Sequence, residues 1–160
     1  MTIQAGDKIP AVDLQFMGKD GVETINSSEL FAGKKVALFA LPGAFTPTCS
    51  AAHLPGYVVQ SDALKSKGID LIVCLSVNDA FVMDAWGKQH NADDQVMMVA
   101  DGSARFSKAV GLELDLDARG MGVRSQRYSM LVDDGVVKQL NVEAAGEFKV
   151  SDAETMLDGL

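Results

Sequence analysis

Lys35-Val-Ala-Leu-Phe-Ala-Leu-Pro-Gly-Ala-Phe-Thr-Pro-Thr-Cys-Ser50 is the stretch on which the fold is read. Its first half, Lys35–Leu41, contains the longest uninterrupted apolar run of the chain. That run falls far short of the roughly 20 residues a membrane span needs. A short continuous run without polar alternation reads as a strand covered on both faces, as in parallel sheets. Residues 42–48 then break the strand with two prolines and a glycine, and a helix is expected from Thr48 or Cys49. In an open α/β sheet this strand-to-helix junction lies at the carboxyl end of the strands, where ligands bind.

Working outward, the chain alternates strand-like and helix-like segments. Residues 12–16 and 22–25 read as short strands split by Gly18 and Gly21. Asn26-Ser-Ser-Glu29 has capping-box spacing for a short helix ending at Gly33. The helix after Cys49 is expected to be interrupted near Pro55-Gly56 and to resume over residues 57–67. Residues 69–75 form a second buried strand. Asn78 or Asp79 caps a helix whose apolar set is Phe81, Val82, Ala85 and Trp86. Residues 96–100 form a third strand, and Ser103 opens a helix ending at Gly111. Residues 112–126 read as a polar, glycine-containing loop. Residues 127–132, the turn Asp133-Asp134-Gly135 and residues 136–142 make a hairpin. Ser151-Asp-Ala-Glu154 is a second capping box that opens a last helix. The order predicts an α/β layer structure built as one domain over residues 1–160.

Composition narrows the function. Apolar residues make up 48% of the chain and charged residues 22%, ordinary values for a folded domain. The net charge of −8 and the lack of a Lys/Arg block argue against a nucleic-acid partner. Lys34-Lys35 reads as solvated charge flanking a strand. No membrane partner is expected. The N-terminus MTIQAGDKIP lacks a basic stretch followed by an apolar core, so a cytoplasmic location is expected. Cys49 and Cys74 are the two cysteines. They are too few for a disulfide framework and do not form a CxxC. In a reducing compartment a free thiol is either buried filler or a working group.

Cys49 has features of a working group. At a helix start, backbone N–H groups lack intrahelical partners and carry partial positive charge, which favours an ionised sulfur. Pro42 and Pro47 stiffen the loop, and a stiff loop holds reacting groups in place. Thr46, three residues before Cys49, offers a hydroxyl that can both donate and accept, so it can bridge a thiolate and a substrate oxygen. The competing reading, Cys49 as a small apolar filler, fits a random cysteine better than one at this junction.

Pro42-Gly-Ala-Phe-Thr-Pro-Thr-Cys49 closely resembles the Pro-x-x-x-Thr-x-x-Cys motif of peroxiredoxins. The form continuing into Ser50 is similar to the type II (atypical, peroxiredoxin-five) subfamily. Ser76-Val-Asn-Asp79 with Phe81 and Ala85-Trp86, Asp101-Gly102, and Gly122-Val-Arg-Ser-Gln-Arg-Tyr-Ser129 agree with it, so the resemblance runs from about Gly6 to Val142. It implies a thioredoxin-like fold, a central mixed sheet flanked by helices with an N-terminal strand extension, which also suits the element order. It implies a thiol-dependent peroxidase that reduces hydrogen peroxide and alkyl hydroperoxides through a sulfenic acid at Cys49. By resemblance the donors are the Cys49 backbone N–H and the Thr46 hydroxyl, Pro42 shields the thiolate, and an arginine at the start of a late strand supplies the cation. Arg127 matches that position and Arg124 competes for it. A symmetric homodimer built from loops around the active site is implied as well; Phe45, Phe81 and Trp86 could form that face or lie in the core.

The second thiol leaves two readings open. Cys74 is either a resolving cysteine or buried packing, and packing is favoured because buried strand cysteines are usually inert. Some type II relatives carry a resolving cysteine near the C-terminus; Glu147-Phe-Lys-Val-Ser-Asp-Ala153 has none. A one-cysteine cycle is therefore expected, with glutathione and glutaredoxin, or thioredoxin, as the reductant. His53, one helical turn after Cys49, could tune the thiolate or be structural or partly exposed. His90 reads as a surface residue at a helix end. The histidines and thiols lack metal-ligand spacing, Asp115-Leu-Asp117 lacks the rest of a calcium loop, and Gly120-x-Gly122 is no dinucleotide fingerprint. No metal or cofactor is expected. The alternative from another class is a redox-sensing interaction module on the same scaffold, in which Cys49 oxidises and alters a partner contact.

Overall fold

In the computed structural model, which describes residues 1–92 and 94–160, the expected alternation is present. Strands β1 (Asp13–Gly18) and β2 (Gly21–Asn26) form an antiparallel hairpin, closed where Gly21 takes a φ of +125°. Helix α1 (Ser27–Leu30) is capped by the Asn26 side chain, which accepts from the Ser28 N–H. Strand β3 (Lys35–Leu41) leads through the proline loop into a π-helical turn (Cys49–His53), then α2 (Leu54–Val59) and α3 (Ser61–Ser66). Next come β4 (Leu71–Ser76), α4 (Ala80–Gln89), β5 (Met97–Ala100) and α5 (Arg105–Ala109). Strands β6 (Glu113–Leu116), β7 (Gly122–Ser125), β8 (Tyr128–Asp133) and β9 (Val136–Val142) precede α6 (Ala153–Asp158).

Seven strands make one mixed sheet in the order β2-β1-β5-β4-β3-β8-β9. Its centre, β5-β4-β3, is parallel; β1 and β8 join it antiparallel on either side. Apolar residues cover both faces. Along β3, Ala37, Phe39 and Leu41 enter one core with Tyr57 and Trp86, while Val36, Leu38 and Ala40 enter the other with Phe106 and Tyr128. Strand β4 splits the same way, with Cys74 on the first face and Val73 and Leu75 on the second. Burial on both sides accounts for the unbroken apolar runs read in the sequence.

Four expectations are corrected. Residues 112–126 are not a loop: β6 and β7 pair antiparallel as a second small sheet around a 3₁₀ turn at Asp117–Arg119. Strand β6 alternates exposed and half-buried positions, while β7 is half-buried up to the buried Ser125. Pro55 does not interrupt a helix. It sits in the first turn of α2, where its missing N–H has no partner to lose, and the break falls at Gln60. In α4 the buried face is Ala80, Met83, Trp86 and Gly87; Phe81 and Ala85 are exposed. Asp152 rather than Ser151 caps α6, accepting from the Thr155 N–H, because the Ser151 hydroxyl is committed to Glu143.

Candidate active site

Leu41 ends β3, and the chain turns through residues 42–48 before Cys49 opens the π-helical turn. Two side chains, Asn78 and Arg124, tie this loop to its neighbours. The Ala44 N–H donates to Asn78 Oδ1 (2.9 Å), and Ser76 Oγ at the end of β4 donates to the same oxygen (2.6 Å). Arg124 Nη1 donates to the Pro42 carbonyl (3.3 Å) while its Nε donates to the Met121 carbonyl (2.9 Å). A Cβ at position 43 would lie 2.8 Å from Arg124 Nη1, so a larger residue there requires the Arg124 guanidinium to shift. Phe45 takes a φ of +65°, an unusual conformation for an aromatic residue and a local strain that the surrounding ties sustain.

Cys49 is fully buried and its sulfur accepts from Arg127 Nη2 at 3.0 Å. A fixed guanidinium at that distance is complementary to the charge a thiolate carries. Arg127 precedes β8, which is paired to β3, so the sheet sets both ends of the contact. Of the two competing arginines, Arg127 is the one beside the sulfur and Arg124 faces the loop backbone. Thr46 Oγ1 donates to the Gly43 carbonyl (2.7 Å). Pro42, Thr48, Leu114, Gln126, Arg127 and Glu143 line a cleft of about 190 Å³. Arg127 therefore spans from the cleft to the buried sulfur.

His53 is fully buried, so of the placements left open partial exposure is excluded. Its Nδ1 faces Arg127 Nη1 at 2.8 Å and its Nε2 faces the Ser151 carbonyl at 3.1 Å. A guanidinium only donates and a carbonyl only accepts, so the partners dictate the tautomer: Nε2 carries the proton and Nδ1 accepts. Burial, with the Arg127 charge adding to it, lowers the His53 pKa to about 3. The ring stays neutral and occupies one guanidinium nitrogen while the other meets the sulfur. Phe39 and Phe148 pack against the imidazole at centroid distances of 5.0 and 4.9 Å. Spacing from Cys49 singled out His53 in the sequence; its link to Arg127 depends on a contact between residues far apart in the chain.

Cys74 is fully buried and unpaired with Cys49 in a disulfide. Burial, and then the nearby Cys49, pushes its thiol well above the usual range. Trp86 is in the core, where its indole N–H donates to Ser50 Oγ (3.0 Å); Phe45 and Phe81 are exposed at 50% and 67%. His90 is half-buried and meets Trp86 edge-on.

The family model described as Redoxin matches residues 4–157. Peroxiredoxin-2E, chloroplastic, of Arabidopsis thaliana is 52% identical, with 99% of this chain and 70% of that protein covered. The chain belongs to the peroxiredoxins. A solved structure of reduced Prx3 from Vibrio vulnificus in complex with hydrogen peroxide is 56% identical, covers 99% of both chains and superposes with a TM-score of 0.96. Peroxiredoxin 5 from Alvinella pompejana is 34% identical over 97% of this chain and 96% of its own, with a TM-score of 0.86. These likenesses give the chain the thioredoxin-like peroxiredoxin fold and make it a thiol-dependent peroxidase, an oxidoreductase.

Proposed function

We propose that Cys49 is the peroxidatic nucleophile, with Arg127, Thr46 and Pro42 completing the site. The observation that carries this reading is the 3.0 Å contact from Arg127 Nη2 to Cys49 Sγ. The thiolate attacks the OH oxygen of a hydroperoxide. An S–O bond forms, the O–O bond breaks, and the second oxygen leaves as hydroxide or alkoxide with the bonding pair. Cys49 is left as a sulfenic acid. Negative charge spreads along S–O–O in the transition state. Arg127 and the Thr46 hydroxyl, turned from Gly43 toward the peroxide, stabilise it from fixed positions. Pro42, at the rim of the cleft, limits water at the sulfur.

The buried Cys74 thiol and the cysteine-free C-terminal segment support a one-cysteine cycle. An external thiol attacks the sulfenic acid and releases water. A second thiol then breaks the mixed disulfide and restores Cys49. Glutaredoxin with glutathione, or thioredoxin, is the proposed reductant, and a homodimer in a reducing cytoplasm the proposed state. Two arginine variants test the site. Arg127→Met is expected to cut the second-order rate with hydrogen peroxide by about 10²–10³-fold, as loss of a preorganised donor does. Arg124→Met is expected to cost far less, because it touches only loop carbonyls. Stopped-flow Trp86 fluorescence reads both; equal losses would remove the assignment. Turnover of a Cys74→Ser variant with each reductant in turn checks the cycle, and lost turnover with every reductant would refute it.

A further inference from the structure

We infer that Glu143 is a positioning residue for Arg127, acting through residues 148–151 and His53. The inference rests on the reading that Arg127 and Cys49 perform the chemistry. Glu143 directly follows β9, and its backbone N–H donates to the Arg127 carbonyl (2.9 Å). The residue is thus clipped to the one it serves. Its side chain is 8% exposed. Oε2 accepts from the N–H groups of Lys149 (2.9 Å), Val150 (2.8 Å) and Ser151 (2.8 Å) and from Ser151 Oγ (2.7 Å). Oε1 also takes the Lys149 N–H (2.9 Å). Three consecutive amides and a hydroxyl converging on one carboxylate form a closed anion cradle.

The cradle fixes two groups over the active site. One is the Ser151 carbonyl, which accepts from His53 Nε2 and from the Tyr57 hydroxyl (2.9 Å). The other is Phe148, whose ring packs on His53 and lies 5.8 Å from the Arg127 guanidinium. With Ser151 fixed, His53 is held in the tautomer that accepts from Arg127. With His53 fixed, Arg127 has one nitrogen left to face the sulfur. Each link is a hydrogen bond or ring contact, so the carboxylate and the sulfur belong to one connected array.

The array needs a carboxylate. Burial alone would raise the Glu143 pKa, but the hydrogen bonds from Ser151, Lys149 and Val150 outweigh it and hold the group below the usual carboxylate range. It is charged at neutral pH. A glutamine could keep a carbonyl at the Oε2 position, but it loses the negative charge and turns its NH₂ toward the Lys149 N–H, which can only donate.

The test uses the full chain with Glu143→Gln, Glu143→Asp and Ser151→Ala. Val110→Ala, in the core on the far face of the sheet, is the stability control. Two quantities are read below the unfolding temperature. One is the second-order rate with hydrogen peroxide; the other is the pH midpoint of iodoacetamide alkylation at Cys49, located by mass spectrometry. Glu143→Gln is expected to lower the rate about 10- to 100-fold, the cost of displacing a reacting group by an ångström. It is expected to move the alkylation midpoint upward, with Glu143→Asp recovering part of both. Val110→Ala is expected to move neither. Wild-type rate and midpoint in folded Glu143→Gln would overturn the inference, as would equal changes in Val110→Ala. If Glu143→Gln fails to fold, Ser151→Ala, which removes one donor of the cradle, decides: an unchanged rate and midpoint overturn the inference. Arg127→Met separates the two levels. Activity retained there refutes the site itself; activity lost there but kept in Glu143→Gln refutes only this inference.

Discussion

At the scale of single residues, His53 concentrates the electrostatics of the site. It faces Arg127 just before β8, Glu143 beyond β9, Asp152 at the cap of α6 and Tyr57 from α2. Tyr57 stays protonated because burial pushes its pKa up, so it donates to Ser151 beside the histidine. The folded protein holds His53 at about 3, whereas the unfolded chain titrates it near its ordinary value of 6.5. Between those values the unfolded state binds a proton that the folded state refuses. Stability from the neutral ring is therefore complete above pH 6.5 and lost as pH falls toward 3. Urea unfolding at pH 7 and pH 5 is expected to show wild type losing roughly 1–2 kcal/mol more than His53→Gln. Glu143, already ionised across that interval, cannot mimic the effect, and His90 is common to both proteins. An equal pH loss in the two proteins would mean that the buried histidine already accepts a proton at pH 5.

At the scale of elements, Asn78 joins the carboxyl end of β4 to the loop that presents Cys49. Its Oδ1 takes both the Ala44 N–H and Ser76 Oγ, and Ser76 is fully buried. Asn78→Ala leaves two donors without their acceptor, which costs about 1–3 kcal/mol. Thermal unfolding is expected to register that loss, and the peroxide rate to fall as Phe45 relaxes from its left-handed conformation; unchanged values would detach this tie from the site. The same junction explains what was legible in the sequence. Runs buried on both faces, the proline loop and the helix start announce themselves locally, so β3, β4 and the position of Cys49 could be read directly. The β6/β7 hairpin could not. Glu113-Leu-Asp-Leu116 does alternate, but Leu114 and Leu116 are only half-buried and their strand partners, Arg124 and Gly122, are not apolar, so no matching alternation in the second strand marks the pair. The Arg127–His53–Ser151 array escaped for another reason. Its members come from three separate stretches, joined only once β8 pairs with β3 and residues 143–151 fold back.

At the scale of the whole molecule, the two aromatics left in solvent sit on elements that meet at the active site. Phe45 belongs to the loop carrying Thr46, and Phe81 to the first turn of α4. The elements touch where the Phe45 and Trp86 rings approach to 6.4 Å. Large exposed aromatics of this kind favour an interface over solvent, and aromatic side chains dominate the energetics of such contacts. A symmetric dimer burying Phe45 would also hold the φ of +65° that the loop needs, so assembly and catalysis would be coupled through one residue. Phe81→Glu places a charge in that face without touching the sulfur, Arg127 or the loop. Sedimentation at micromolar concentration is expected to give wild type at twice the 17.0 kDa chain mass and the variant at the chain mass. The peroxide rate of the variant is expected to fall in step with dissociation, restored at concentrations that drive reassociation. A wild-type monomer would remove the dimer, and a monomeric variant with full activity would show that the loop keeps its strained turn unaided.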